Sequence, residues 1–433
     1  MSNPSTSTRP ATVAREPRQS WLKKLGPGLI TGAADDDPSG IATYSQAGAQ
    51  FGMNLLWTMF FTYPLMVGIQ IVSARIGRVT GKGLAGNIRT HYPHWLVYAI
   101  VGLLLIANTI NIAADVSAMG DALALLIGGS ARLYAAAFGV LSLLLQMFIP
   151  YSRYVRVLKW LTLTLLAYVA VIFTVRIPWA ALGTALVMPK LTWNAATITT
   201  IVAVFGTTIS PYLFFWQASQ EVEDLEADPK AQSLIVAPKQ ARSSFLRIKI
   251  DTVVGMGFSN MVAFFIILTT AVSLHLHGVT TIQTSAEAAT ALRPIAGQFA
   301  FLLFAAGIIG TGLLAVPVLA GSAAYAMADA FSWNKGLELK PLLAKRFYSI
   351  IVVSTLIGIG LGFAPIDPIK ALYWSAVING VISVPIMLIM MLMASRTAVM
   401  GAFVISKKLK WLGWLATLIM AVAVVAMFAT FGG

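Results

Sequence analysis

The chain has 433 residues, 58% hydrophobic and 11% charged, with no cysteine and a net charge of +14. A charged share about half the roughly 25% of soluble domains, with mean hydropathy +0.80, describes an all-α polytopic membrane protein. It excludes a disulfide framework, a thiolate metal site and thiol chemistry. The bases lie between apolar spans instead of on a soluble module, so nucleic acid is not the expected partner.

Residues 1–20, rich in Ser, Thr, Pro and Arg, read as a disordered cytoplasmic tail and not as a signal peptide. Apolar spans of about 20 residues then recur, near 25–49, 53–76, 95–120, 132–150, 155–177, 194–219, 248–274, 297–331, 347–365, 368–394 and 411–431, which predicts eleven transmembrane helices. The first span carries Ala34-Asp35-Asp36-Asp37-Pro38-Ser39-Gly40. An ionised Asp at mid-bilayer costs roughly 2.5–3.5 kcal/mol on the most forgiving scale, so acids there mark functional sites. Pro38 lacks an N–H and biases Asp37 away from helical dihedrals, so the helix breaks here. Broken helices at membrane depth line cavities and mark the midplane sites of transporters. The expected ligands of a cation are therefore Asp37 and nearby carbonyl oxygens.

Counted by span, 25 of the 30 Lys and Arg fall on the side of the N-terminus. By the positive-inside rule the N-terminus is cytoplasmic and the C-terminus outside, and most of the +14 is topology signal. The sixth span is also interrupted, at Gly206-Thr207-Thr208-Ile209-Ser210-Pro211-Tyr212. Breaks in corresponding positions of two halves predict an inverted repeat of five helices plus five: a first repeat over 21–180, a second over 181–395 and a trailing helix in 396–433. The charged stretch from Glu221 to Lys249 reads as a cytoplasmic linker. No phosphate-binding loop, HExxH or nucleophile elbow is present, so the chain is not expected to be an enzyme or to use a cofactor.

Gly26-Pro27-Gly28, Asp37-Pro38-Ser39-Gly40 and Ser210-Pro211-Tyr212 resemble the Nramp family of divalent-metal transporters, with its GPG start, Asp-Pro-Gly-Asn in the first helix and Met-Pro-His in the sixth. The resemblance spans essentially the whole chain. It implies a LeuT-like fold, import of a divalent cation across the lipid bilayer of a bacterial inner membrane, and a monomer. Asp37 falls on the family's ligand aspartate, whereas Gly40 stands for its Asn, Ser210 for its Met and Tyr212 for its His. Asp115 matches a helix-3 Asp, Ala118 replaces a nearby Glu, and Arg346 matches loosely one of a basic pair. The expected metal site is Asp37, Ser210, Asn379 and the backbone at Ala34 and Thr207, with Asp36, an extra acid relative to the family motif, as an optional ligand, and the remains of a proton path are Asp115, Tyr212 and Arg346.

A thioether favours soft transition ions, and Ser removes that preference. Magnesium keeps several waters and binds through one or two carboxylates. The set resembles the magnesium-transporting branch of the family, with magnesium the first expectation and manganese the second, and weak or no proton coupling. The alternatives are a proton-coupled Mn²⁺/Fe²⁺ transporter and a sodium-coupled carrier of small organic solutes on the same fold; three adjacent acids without a base suit a dication better than a zwitterion. Asp35 and Asp36 each read as a vestibule charge or a ligand, the pairs His91/His94 and His275/His277 as interfacial packing, and Asn379, Asn260 and Gln46 as facing the site or as interhelical hydrogen bonding.

Overall fold

A computed structural model of the chain describes residues 31–32, 34–150, 153 and 162–431. The N-terminal tail, the GPG start and most of the first half of the fifth span lie outside the described residues. The fold is all-α and LeuT-like. Its main helices are α1 (Pro38–Phe51), α2 (Trp57–Thr80), α3 (His94–Ile127), α4 (Ala131–Phe148), α5 (Ala195–Thr208), α6 (Pro211–Ala227), α7 (Ala241–Ser273), α8 (Ala300–Phe331), α9 (Lys345–Leu361), α10 (Pro368–Ala394) and α11 (Lys407–Phe431). Among the described residues, eight helical segments are long and apolar enough to cross a membrane, counting Ala195–Ala227 as one.

Both expected breaks are present. Residues 31, 32, 34 and 35 are helical, Asp36 bends and Asp37 is extended before α1 restarts at Pro38. The second break lies at Ile209 and Ser210, whose dihedrals leave the helical region before α6 restarts at Pro211. In each case proline takes the first helical turn, where its missing N–H costs nothing.

Packing places these breaks at the centre. The long α3 lies against α4, α8, α9 and α10, while α1 is held by α5, α7 and α10. Glycines set the closest approaches. A Cβ on Gly206 of α5 would stand 2.1 Å from the Ala376 carbonyl of α10, and one on Gly48 of α1 would stand 2.3 Å from the Ile267 carbonyl of α7. Only glycine allows backbones this near, which fixes α5 and α1 against their neighbours on either side of the site.

One expectation is corrected. The stretch from Glu221 to Lys249 is not a free linker: α6 continues to Ala227 and α7 begins at Ala241, so the irregular part is short. Its charges pair across helices. Glu221 is fully buried and ion-paired with Arg247, which also lies 3.5 Å from Asp224.

The glycine contacts make a stability prediction. Gly206→Ala should cost about 1–3 kcal/mol through forced separation of α5 and α10. Gly102→Ala on α3, where an added Cβ meets nothing within 4 Å, should be neutral or stabilising by up to about 1 kcal/mol. Thermal unfolding of the detergent-purified variants checks this; equal melting temperatures would remove the close approach as a constraint.

Candidate metal site

The site is built from the two breaks facing each other. Asp37 caps α1: its Oδ1 accepts from the Gly40 backbone N–H at 2.7 Å and from the Ser39 hydroxyl at 2.7 Å. Its Oδ2 accepts from the Tyr212 hydroxyl at 3.3 Å, and that hydroxyl also reaches the Ala34 carbonyl at 3.1 Å. Tyr212 therefore ties the first break to the second. Ser210 does not cap α6; its hydroxyl turns back onto α5, donating to the Thr207 carbonyl at 2.6 Å and reaching the Gly206 carbonyl at 3.0 Å. Tyr44 and Thr208 join α1 to α5 through their hydroxyls at 3.1 Å.

The three adjacent acids divide into two groups. Asp37 faces Tyr212, whereas Asp35 and Asp36 both turn to α7, where the Ser259 hydroxyl lies 2.5 Å from Asp35 and 3.0 Å from Asp36. One hydroxyl proton cannot satisfy two carboxylates, and Asp35 Oδ1 and Asp36 Oδ2 have no hydrogen-bond partner among the described residues. Asp115 on α3 has none for either oxygen and lies within electrostatic reach of Asp37. All four acids are at most 1% exposed. The ion pairs found among the described residues involve Arg247 and Lys335, not these carboxylates. Each buried ion costs several kcal/mol unless countered, so these acids must take up protons or bind cations.

The helix ends fit that demand. The N-terminal turns of α1 and α6 present N–H groups and partial positive charge, which suits the Asp37 carboxylate. The preceding half-helices end in carbonyls, among them Ala34, Gly206 and Thr207, which suit a cation. No group of three His, Asp or Glu side chains converges on one point among the described residues. Two groups of oxygen donors are bonded together: Asp37, the Ala34 carbonyl and the Tyr212 hydroxyl at one point, and the Ser210 hydroxyl with the Thr207 carbonyl at the second break.

Other expected residues stand differently. Asn379 is buried in α10, next to the Gly380 contact with α5, and its amide makes no hydrogen bond among the described residues. Arg346 is exposed at the start of α9 with its guanidinium over Trp333. At Gly40 a Cβ would stand 3.1 Å from Thr207 Oγ1, so an asparagine there requires Thr207 to shift. Two residues were not foreseen. Ser259 belongs to a polar stripe with Thr252, seven residues apart on the buried face of α7, a spacing that could have singled it out. Asn111, one turn before Asp115, is fully buried with neither amide end hydrogen-bonded among the described residues.

The model of the family described as natural resistance-associated macrophage protein-like matches residues 28–430. The chain belongs to the Nramp family. As an Nramp protein it is a transporter and not an enzyme. Its structure is similar to that of the Eremococcus coleocola manganese transporter in complex with an aromatic bis-isothiourea compound, with 19% identity, TM-score 0.71, and coverage of 97% of this chain and 90% of that one. It is also similar to MhsT in complex with L-phenylalanine (13% identity, TM-score 0.62, covering 93% and 98%). Mhp1, a nucleobase-cation-symport-1 family transporter, matches at 14% identity and TM-score 0.57, covering 94% and 92%. At these identities the likeness is one of fold.

Capping and ligation by Asp37 can be separated in this Nramp chain. Asp37→Asn keeps an N-cap of equal quality, so the melting temperature should hold or rise as a buried charge is relieved, while the calorimetric heat of Mg²⁺ or Mn²⁺ binding disappears. Asp37→Ala should lose binding and about 1 kcal/mol of stability. Asp35→Ala and Asp36→Ala should retain measurable binding. Undiminished binding by Asp37→Asn would remove Asp37 as a ligand.

Proposed function

We propose that this Nramp protein is a secondary transporter that imports divalent cations, Mg²⁺ first and Mn²⁺ second, with broad selectivity and no obligatory proton coupling. What supports the reading most is the chemistry of the two breaks, which carry a carboxylate, main-chain carbonyls and hydroxyls, with Ser210 where the family has a thioether. Such a set suits a hard cation that keeps part of its water. The solved relative named as a manganese transporter supports a divalent substrate over the organic ligands of the more distant matches.

Weak proton coupling follows from what replaces the family's relay. Tyr212 titrates near 10 when unperturbed, and Ala118 does not titrate. Tyr212 is already bonded to Asp37 and the Ala34 carbonyl, which supports a structural part for it. Asp115 is left as the acid of the relay. The positive-inside count supports a cytoplasmic N-terminus and an outside C-terminus, and the family resemblance supports import across a bacterial inner membrane. The two breaks sit in corresponding positions of five-helix repeats over 21–180 and 181–395.

Reconstituted liposomes loaded with a pH dye test this reading. Mg²⁺ influx should proceed without lumenal acidification when the membrane potential is clamped, and Ser210→Met should move preference towards Mn²⁺ or Cd²⁺ by several-fold. Acidification that follows cation influx and is lost in Asp115→Asn would show that Asp115 alone sustains coupling. An unchanged ion ratio in Ser210→Met would detach selectivity from Ser210.

A further inference from the structure

Two cavities flank the N-terminal end of α10. The first, about 340 Å³, lies between α1, α5, α10 and α11 and is lined by Gln46, Thr200, Tyr373 and Trp374 among others. Gln46 stands eight residues beyond Pro38, about 12 Å of helical rise from the break. The second, about 370 Å³, lies between α3, α9 and α10, with Ala114 and Ser117 in its wall. Lys370 and Trp374 line both. The rest of both linings is uncharged, so among the described residues Lys370 brings the one formal charge to either cavity. Its side chain is exposed and joins none of the ion pairs found among the described residues. Asp367, three residues earlier, lines neither cavity; its carboxylate caps α10 by accepting from the Ile369 and Lys370 backbone N–H groups.

We propose that these two cavities are the outer approach to Asp37 and that Lys370 is an electrostatic gatekeeper there, holding down the local concentration of divalent cations and so setting their rate of capture. The inference rests on the divalent-cation reading above and on the outward orientation of this end of α10. A dication passing about 8 Å from an ammonium group in water is depleted about fivefold, because the interaction scales with the product of charges. The depletion is steeper for a dication than for a monovalent ion. It also falls with salt, since the Debye length shrinks from about 30 Å at 10 mM to a few ångströms near 1 M.

Substrate-limited Mg²⁺ influx into liposomes, measured at about 10 mM and about 0.5 M ionic strength set with an impermeant salt, tests it. At low salt, Lys370→Gln should raise influx about fivefold and Lys370→Glu about 25-fold. Lys370→Arg should match the unmodified protein, and at high salt all four rates should converge within about twofold. Influx by the unmodified protein with Lys370→Glu unchanged, or a gain of equal size at both salts, overturns the gatekeeper and leaves the transport reading standing. Absence of divalent influx by the unmodified protein overturns both.

Discussion

Burial of carboxylates without a basic partner is the constraint on which the rest of the structure depends. Asp35, Asp36, Asp37 and Asp115 are shielded from solvent, and a chain that kept them there without compensation would lose several kcal/mol for each. The compensation is architectural. Interrupting the first and sixth spans leaves helix ends inside the fold, so that the Gly40 N–H meets Asp37 and the Ala34 and Thr207 carbonyls meet the Tyr212 and Ser210 hydroxyls. Pro38 and Pro211 make the interruption permanent, and Asp37 uses its own side chain to close the turn it opens.

The surrounding helices hold that geometry by close backbone contact and not by polar bonds alone. Gly206 against Ala376 and Gly48 against Ile267 lock α5 and α1 to α10 and α7, so the two breaks keep their register. On the far side of α6, Gln70 donates to the Leu213 carbonyl and to Gln217, and Ser73 donates to the Phe214 carbonyl. Farther along, the buried Glu221–Arg247 pair joins α6 to α7. The second half of the broken sixth span is thus tied to α2 and α7 along its length.

Much of this was legible in the sequence because hydropathy and proline act locally. Most of the expected spans contain helices: α4, α8 and α10 keep within three residues of the bounds read from composition, whereas α3, α6 and α7 each run seven or eight residues past one bound, and the start of the first span and part of the fifth lie outside the described residues. Both breaks follow from single prolines preceded by polar side chains. What was not legible depends on partners distant in the chain. Nothing near Asp35 and Asp36 tells that they turn to Ser259, more than 220 residues away, or that Tyr212 bonds the Ala34 carbonyl instead of standing free as a proton carrier. The charged run after Glu221 has the composition of a solvated linker, yet Glu221 and Arg247 are complementary across α6 and α7, and pairing lets both helices continue.

The central claim is that one divalent cation rests between the two breaks with Asp37 as its carboxylate ligand. An anomalous difference map at the manganese absorption edge, from crystals of the protein grown with Mn²⁺, tests it most directly. The account predicts a peak within about 2.5 Å of an Asp37 oxygen, close to the Ala34 and Thr207 carbonyls and the Ser210 hydroxyl. A peak held by Asp35 and Asp36 against Ser259 with none at Asp37, or no peak between the breaks at saturating Mn²⁺, would contradict it.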